Sequence, residues 1–184
     1  EENSDYNATF EALREKYGNK IAPVVVPIWN EGKKVTGIID VLNKRAYEMQ
    51  NGKRVEIDIP EGKEAVITEF NDALKESVAE TSEEFMDKFF GGEDFTYAEM
   101  IQGLRQGVRE LSLFPVLCGS AVNTMGSLML MDYIVDLLPN PMEGNYHKAT
   151  RQDGETEPFV VSPGGVPTAF VFKTVSDQYG KYSY

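Results

Sequence analysis

Val116-Leu117-Cys118-Gly119-Ser120-Ala121 brings an apolar run to a turn of small residues just before a helical stretch. Side chains that small let a flat ligand approach the backbone, where free N–H groups can donate to it. Gly119, Ser120 and Ala121 are therefore candidate ligand contacts. The plainer reading is packing, because small-residue turns often follow buried strands. A second group lies between Glu61 and Glu99, where twelve acids face only Lys63, Lys75 and Lys88. Glu69, Asp72, Glu76, Glu80 and Glu83 recur at helical spacing and form one stripe if the helix is continuous; Thr81 and Ser82 threaten that continuity before Glu83. The bland reading is a solvated face. The sharper one is a docking surface for a basic partner.

Other chemistry is thin. The single histidine, His147, sits in a polar stretch, and a Cys118–His147 nucleophile pair has little to recommend it, because Cys118 should be packed at a strand end. No G-x-x-x-x-G-K-[ST] segment occurs, so no loop is present to cradle phosphates or to place a Ser/Thr on magnesium. Asn19-Lys20-Ile21-Ala22 and Asn43-Lys44-Arg45-Ala46 imitate a guanine-selecting Asn-Lys-x-Asp but lack its aspartate. Trp29 reads as core or rim packing, since Asn30, Glu31, Lys33 and Lys34 do not make a cationic groove for single-stranded nucleic acid. No catalytic or metal-ligating residue is assigned.

Composition narrows the classes further. The 184 residues are 41% hydrophobic, ordinary for a globular chain. Thirty acids against 18 Lys and Arg give a net charge of −12, which disfavours direct nucleic-acid binding and favours a basic partner. No apolar run approaches the roughly 20 residues of a membrane span. The lone Cys118 excludes an internal disulfide and fits a reducing, cytoplasmic setting.

The elements that must position these residues are mixed. Ser4 or Asp5 caps a helix with Tyr6, Phe10, Leu13 and Tyr17 on one face, and Gly18 stops it. Pro23 to Ile28 and Val35 to Met49 read as β-rich, joined by a hairpin tip at Asn30-Glu31-Gly32-Lys33, and Arg54 to Ile59 as a half-exposed strand. A helix from about Glu61 to Ala79 should turn Val66, Phe70, Ala73 and Leu74 inward. A second starts at the capping pair Thr81/Glu84 and stops at Gly91-Gly92. A third starts at Thr96/Glu99 and contains Met100, Ile101, Leu104 and Val108. Leu113 to Cys118 reads as a strand buried on both faces. A helix from about Thr124 to Leu138 should then bring Leu128, Ile134, Val135 and Leu138 onto it. Pro139-Asn140-Pro141 stops the helix, Met142 to Pro158 reads as a linker, and Val166 to Val175 and Tyr182 to Tyr184 as strands. The C-terminus falls in mid-pattern and reads as a cut.

Taken together, the order of segments resembles elongation factor G, the translational GTPase that drives translocation. The resemblance rests on Val-Ala-Glu-Thr-Ser-Glu-Glu-Phe-Met-Asp-Lys-Phe-Phe-Gly-Gly-Glu-Asp-Phe-Thr from Val78, Pro-Val-Leu-Cys-Gly-Ser-Ala to Ala121, and Asp-Tyr-Ile-Val-Asp-Leu-Leu-Pro-Asn-Pro to Pro141. Pro23 to Asp40 and Val55 to Pro60 fit in order and spacing. It implies an α/β (mixed α+β) fold: the C-terminal part of a P-loop-type GTPase domain with an inserted α+β subdomain, then the first strands of a β-barrel domain. Residues 1–18 would be a GTPase-domain helix, 19–107 the insertion, 108–141 the end of the GTPase domain, 142–158 a linker and 159–184 the start of the second domain. Gly119, Ser120 and Ala121 would form the last guanine-contacting motif, with backbone N–H groups on the base oxygen, and Glu1 would follow the Asn-Lys-x-Asp motif. Glu76, Glu80 and Glu83 would face the C-terminal domain of the bacterial ribosomal stalk protein. The whole protein would use GTP/GDP with magnesium, while this segment alone would bind neither and turn over no GTP. Val122-Asn123-Thr124 and Ser162-Pro163-Gly164-Gly165 depart from the family's usual residues. A ribosomal-protection GTPase, a diverged paralogue and a stand-alone acidic binding module therefore stay open as alternatives.

Overall fold

The computed structural model describes residues 4–30, 34–143, 148–150, 153–159, 161–165, 167 and 169–184. The chain divides into two units, Glu1–Pro139 and Asn140–Tyr184. The first opens with helix α1 (Tyr6–Tyr17), capped by Asp5, whose carboxylate accepts from the Ala8 N–H, and closed by Gly18 at φ +67°. Both ends are where the local signals place them.

The expected strand from Pro23 to Ile28 is two strands. Strand β1 (Ile21–Pro23) and strand β2 (Val25–Trp29) are separated by Val24. Val24 donates to the Val116 carbonyl at 2.9 Å, and its own carbonyl accepts from Val41 at 3.0 Å. It therefore ties two sheets together. One sheet runs antiparallel in the order β2, β3 (Val35–Asp40), β4 (Arg45–Gln50), β5 (Lys53–Ile57). The β2–β3 hairpin is latched at its tip by Asn30, which donates to the Lys34 carbonyl and accepts from the Lys34 N–H; residues 31–33 of that tip lie outside the described set.

Helix α2 (Glu64–Ala79) starts three residues later than the periodicity predicts, because Gly62 at φ +80° makes a turn closed by Lys63 N–H on the Pro60 carbonyl. Its buried face is Ile67, Asn71, Leu74 and Val78; Phe70 and Ala73 are half-buried, and Val66, expected inside, is 39% exposed. Asn71 is tolerated in the interior because it donates to the Val41 carbonyl at 3.0 Å. Helix α3 (Glu83–Phe90) is capped by Ser82, not Thr81: Ser82 Oγ accepts from the Phe85 N–H, whereas Thr81 Oγ1 donates back to the Val78 carbonyl. Helix α4 (Tyr97–Glu110) carries the predicted Thr96/Glu99 capping box. Glu99 also accepts from Lys88 at 2.6 Å; that bond first, then the Thr96 donors, draws its carboxyl down to about 2. Helices α2 and α4 touch at Gly103. A Cβ there would stand 2.5 Å from Val78 Cγ1, so only glycine permits this approach. Leu74, Val78 and Leu104 are wholly buried around it, each contributing on the order of 1.5–3 kcal/mol of transfer free energy.

The apolar run from Leu113 to Cys118 yields strand β6 (Phe114–Val116), paired in parallel with β1. It is not buried on both faces: Phe114 is 43% exposed. Among the described residues the β1–β6 sheet has two strands, so β6 has a single strand neighbour. Helix α5 (Ser127–Leu137) corrects a second expectation. Leu128, Ile134, Val135 and Leu138 are all exposed, and the buried face is Met129, Tyr133 and Leu137. Two polar ties accompany that rotation: Tyr133 donates to Asp40 Oδ1 at 2.7 Å, and Arg54 bridges to Asp132 at 2.8 Å.

In the second unit, part of the stretch expected to be a linker forms a hairpin, β7 (Lys148–Thr150) with β8 (Thr156–Pro158). Of the strand expected over Val166 to Val175, the end is paired: β9 (Thr174–Asp177) pairs with β10 (Gly180–Ser183), and Phe172 and Lys173 extend the pairing by donating to the Tyr184 carbonyl. Residues 166 and 168 lie outside the described set. The whole is a mixed α/β fold with several small sheets, and no closed barrel occurs among the described residues.

Candidate functional site

The turn after β6 is a pinched loop. Ser120 donates its N–H to the Met125 carbonyl at 2.9 Å, and Thr124 donates to the Ala121 carbonyl at 3.4 Å. A Cβ on Gly119 would meet the Met125 carbonyl oxygen at 2.8 Å, and one on Gly126, at φ +79°, would meet the Cys118 carbonyl oxygen at 2.7 Å. These two glycines let the strands of the neck cross, so their smallness is accounted for inside the chain. Thr124 completes the loop at φ +54°, an unusual left-handed position for a β-branched residue. Ala121 at the loop's tip is exposed, and its N–H has no partner among the described residues. Of the three candidate contacts, Ala121 thus retains a free donor, Ser120 has committed its own to Met125, and Gly119 shapes the neck.

Cys118 lies at the root of this loop, half-buried, and burial pushes its thiol up to about 12. Such a thiol is not a nucleophile at neutral pH. His147 lies outside the described residues. Trp29 packs at a rim: its ring is 6.1 Å from that of Tyr6, and the Lys63 ammonium stands 5.6 Å over it. Asn43, in one of the imitation guanine motifs, instead donates from its backbone and its amide to Asp40.

The acidic stripe is interrupted. Glu76 and Glu80 stand one turn apart at the end of α2, while Glu83 opens α3 beyond the break at Thr81 and Ser82. All three are exposed, and none is in an ion pair among the described residues. Glu83 sits in the first turn of its helix, where the dipole favours an anion. Beside Glu76 runs a groove of about 570 Å³ with Phe70, Ala73 and Phe89 in its floor and Glu69, Asp72, Glu93 and Asp94 along its rim. Lys75 is held there by Asp94 at 2.7 Å and by Asp72 at 3.6 Å. Sequence reasoning counted Glu93 and Asp94 among the acids but had no signal joining them to α2, since only folding brings the residues after α3 against that helix.

With this geometry in view, the chain falls among mixed α/β proteins, with an acidic helical face and a pinched small-residue loop. Over 189 aligned positions, covering 97% of the chain, it is 34% identical to an elongation factor G-like protein of Thermotoga maritima. A crystal structure of a Thermus thermophilus protein matches its fold with a TM-score of 0.71 and 25% identity over 99% of the chain. The chain spans 25% of the length of the first relative and 28% of the second. No protein-family model matches it. The similarity links the chain to elongation factor G-like proteins over nearly its whole length.

Proposed function

We propose that this chain is a segment of a GTP-hydrolysing translation factor that promotes ribosomal translocation, and that it contributes two of that protein's contacts. The observation that carries this reading is the 34% identity over 97% of the chain to an elongation factor G-like protein. In the whole protein, GTP with magnesium would be bound and hydrolysed by residues outside these 184, because no phosphate-cradling sequence lies within them. The loop at Gly119, Ser120 and Ala121 would meet the guanine edge, chiefly through the Ala121 N–H. The exposed carboxylates Glu76, Glu80 and Glu83 would steer the C-terminal domain of the bacterial ribosomal stalk protein, raising the encounter rate more than the affinity.

A second reading, a diverged paralogue without the housekeeping role, has two observations in its favour. The matched relative is itself described as elongation factor G-like, and Val122-Asn123-Thr124 departs from the family's usual residues in the loop that would face the base.

The docking assignment is tested by stopped-flow association of the chain with a purified stalk C-terminal domain at several salt concentrations. Glu76→Lys with Glu80→Lys should slow association by about tenfold at low salt and flatten its salt dependence. If both the rate and its salt dependence stay at the wild-type values, the α2 carboxylates are not the docking face.

A further inference from the structure

Within the first unit, a cavity of about 340 Å³ lies against β3–β5, the first turn of α4 and the middle of α5. That volume is in the range of small-molecule sites. It shares no residue with the loop at 119–121 or with Glu76, Glu80 and Glu83. Tyrosines 47, 97 and 133 and aspartates 40, 132 and 136 line it, against one cation, Arg54.

Half of this cavity already holds a cation in a defined way. The Arg54 guanidinium stands 5.2 Å from the centre of the Tyr47 ring and donates to Asp132 at 2.8 Å. An aromatic face on one side and a carboxylate on the other is a favourable arrangement for a partly desolvated cation. The other half repeats two of these three parts. Asp136 stands one helical turn beyond Asp132, on the same side of α5, and its carboxylate has no ion-pair partner among the described residues. Tyr97 lines the same half; burial raises its hydroxyl above the ordinary tyrosine value, a hydrogen bond with Asn43 works against that, and the charges of Asp136, Asp40 and Asp132 add to it. Asp40 is not the missing partner's seat, because its oxygens already accept from the Tyr133 hydroxyl, the Asn43 N–H and the Asn43 amide. Ring and carboxylate are therefore in place at Tyr97 and Asp136; Arg105 donates to the Val135 and Asp136 carbonyls but does not line the cavity, so no cation of the chain lines this half.

We propose that this half of the cavity binds an extended organic cation, an ammonium or guanidinium on an alkyl stem, between Tyr97 and the Asp136 carboxylate. Two sources share this chemistry: a free polyamine and a basic side chain of a protein. The inference does not depend on the translational reading, because none of its residues contributes to the guanine or stalk contacts proposed above.

Isothermal titration of the whole 184-residue chain with spermidine, and separately with N-acetyl-arginine amide, tests it. One-site saturation is expected, weakened at least about tenfold by Asp136→Asn, a loss of roughly 1.4 kcal/mol, and similarly by Tyr97→Leu. Asp136→Asn should keep the fold, since an acid near a helix C-terminus opposes the helix dipole. Glu15→Gln, which removes an exposed carboxylate outside the cavity, should change the affinity less than about twofold. Saturation by spermidine alone assigns a free polyamine; saturation by the arginine amide, alone or as well, assigns a basic side chain. No saturation by either up to roughly 10 mM, or equal weakening by Glu15→Gln and Asp136→Asn, overturns the proposal.

Discussion

The two units of this chain hold their shape by different physics. In Glu1–Pro139 a continuous core runs from Ala22 through Leu74, Val78 and Leu104 to Leu137. In Asn140–Tyr184 no described residue is buried, and Phe170, Phe172 and Tyr179 are 85%, 73% and 80% exposed. What orders the second unit is local. Asp177 accepts from the N–H groups of Tyr179 and Gly180 and so closes the β9–β10 turn, and Asp153 likewise accepts from the Glu155 N–H. Turn chemistry can choose which strands pair, but an isolated two-stranded hairpin is at best marginally stable in water. Burial is what makes the first unit hold together as one cooperative structure.

This contrast can be broken or sharpened by substitution. The largest effect is expected for Leu104→Ala, which removes a wholly buried side chain between α2 and α4 and should cost about 2–5 kcal/mol in urea unfolding. A cost under about 1 kcal/mol would mean that the core is not what stabilises the first unit. Tyr133→Phe should cost less, about 1–3 kcal/mol, because Asp40 Oδ1 loses one donor but keeps the Asn43 N–H. It should also loosen α5, read as faster amide exchange at Met129 and Leu130; unchanged exchange would show that apolar packing alone sets the helix's rotation. Phe172→Ala should be the smallest, within about 0.5 kcal/mol, since the ring is 73% exposed. A loss of more than about 1.5 kcal/mol there would show that the second unit has a core of its own.

How far each feature could be read from the sequence follows the range of the interaction behind it. Asp5, Thr96 with Glu99, Gly18 and the Gly91-Gly92 stop were all legible, because caps join groups three or four residues apart. The cap of α3 was misplaced by one residue: the pattern pointed to Thr81 with Glu84, but Thr81 bonds back to the Val78 carbonyl and Ser82 is the cap. The inward face of α2 lies one residue past the Val66–Phe70 stripe, on Ile67 and Asn71, and periodicity could not foresee a buried asparagine whose partner is the Val41 carbonyl, 30 residues away. In the candidate site, the small residues of 119–121 stood out, but their cause did not. The sequence left packing and an approaching ligand both open, and Gly119 and Gly126 make room for carbonyls of the chain itself.

Local order thus came from the linear pattern: where helices begin and end, where strands alternate, and how strongly charge is biased toward acid. The rotation of α5 did not. With Leu128, Met129, Leu130, Met131, Ile134, Val135, Leu137 and Leu138 spread around it, no apolar face is distinguished by periodicity. Its orientation goes with the ties of Tyr133 to Asp40, 93 residues apart, and of Arg54 to Asp132, 78 residues apart. With α5 turned this way, Asp136 and Tyr97 line one cavity. Such partners meet only when the sheet and the helix pack, and that free energy belongs to the assembled core.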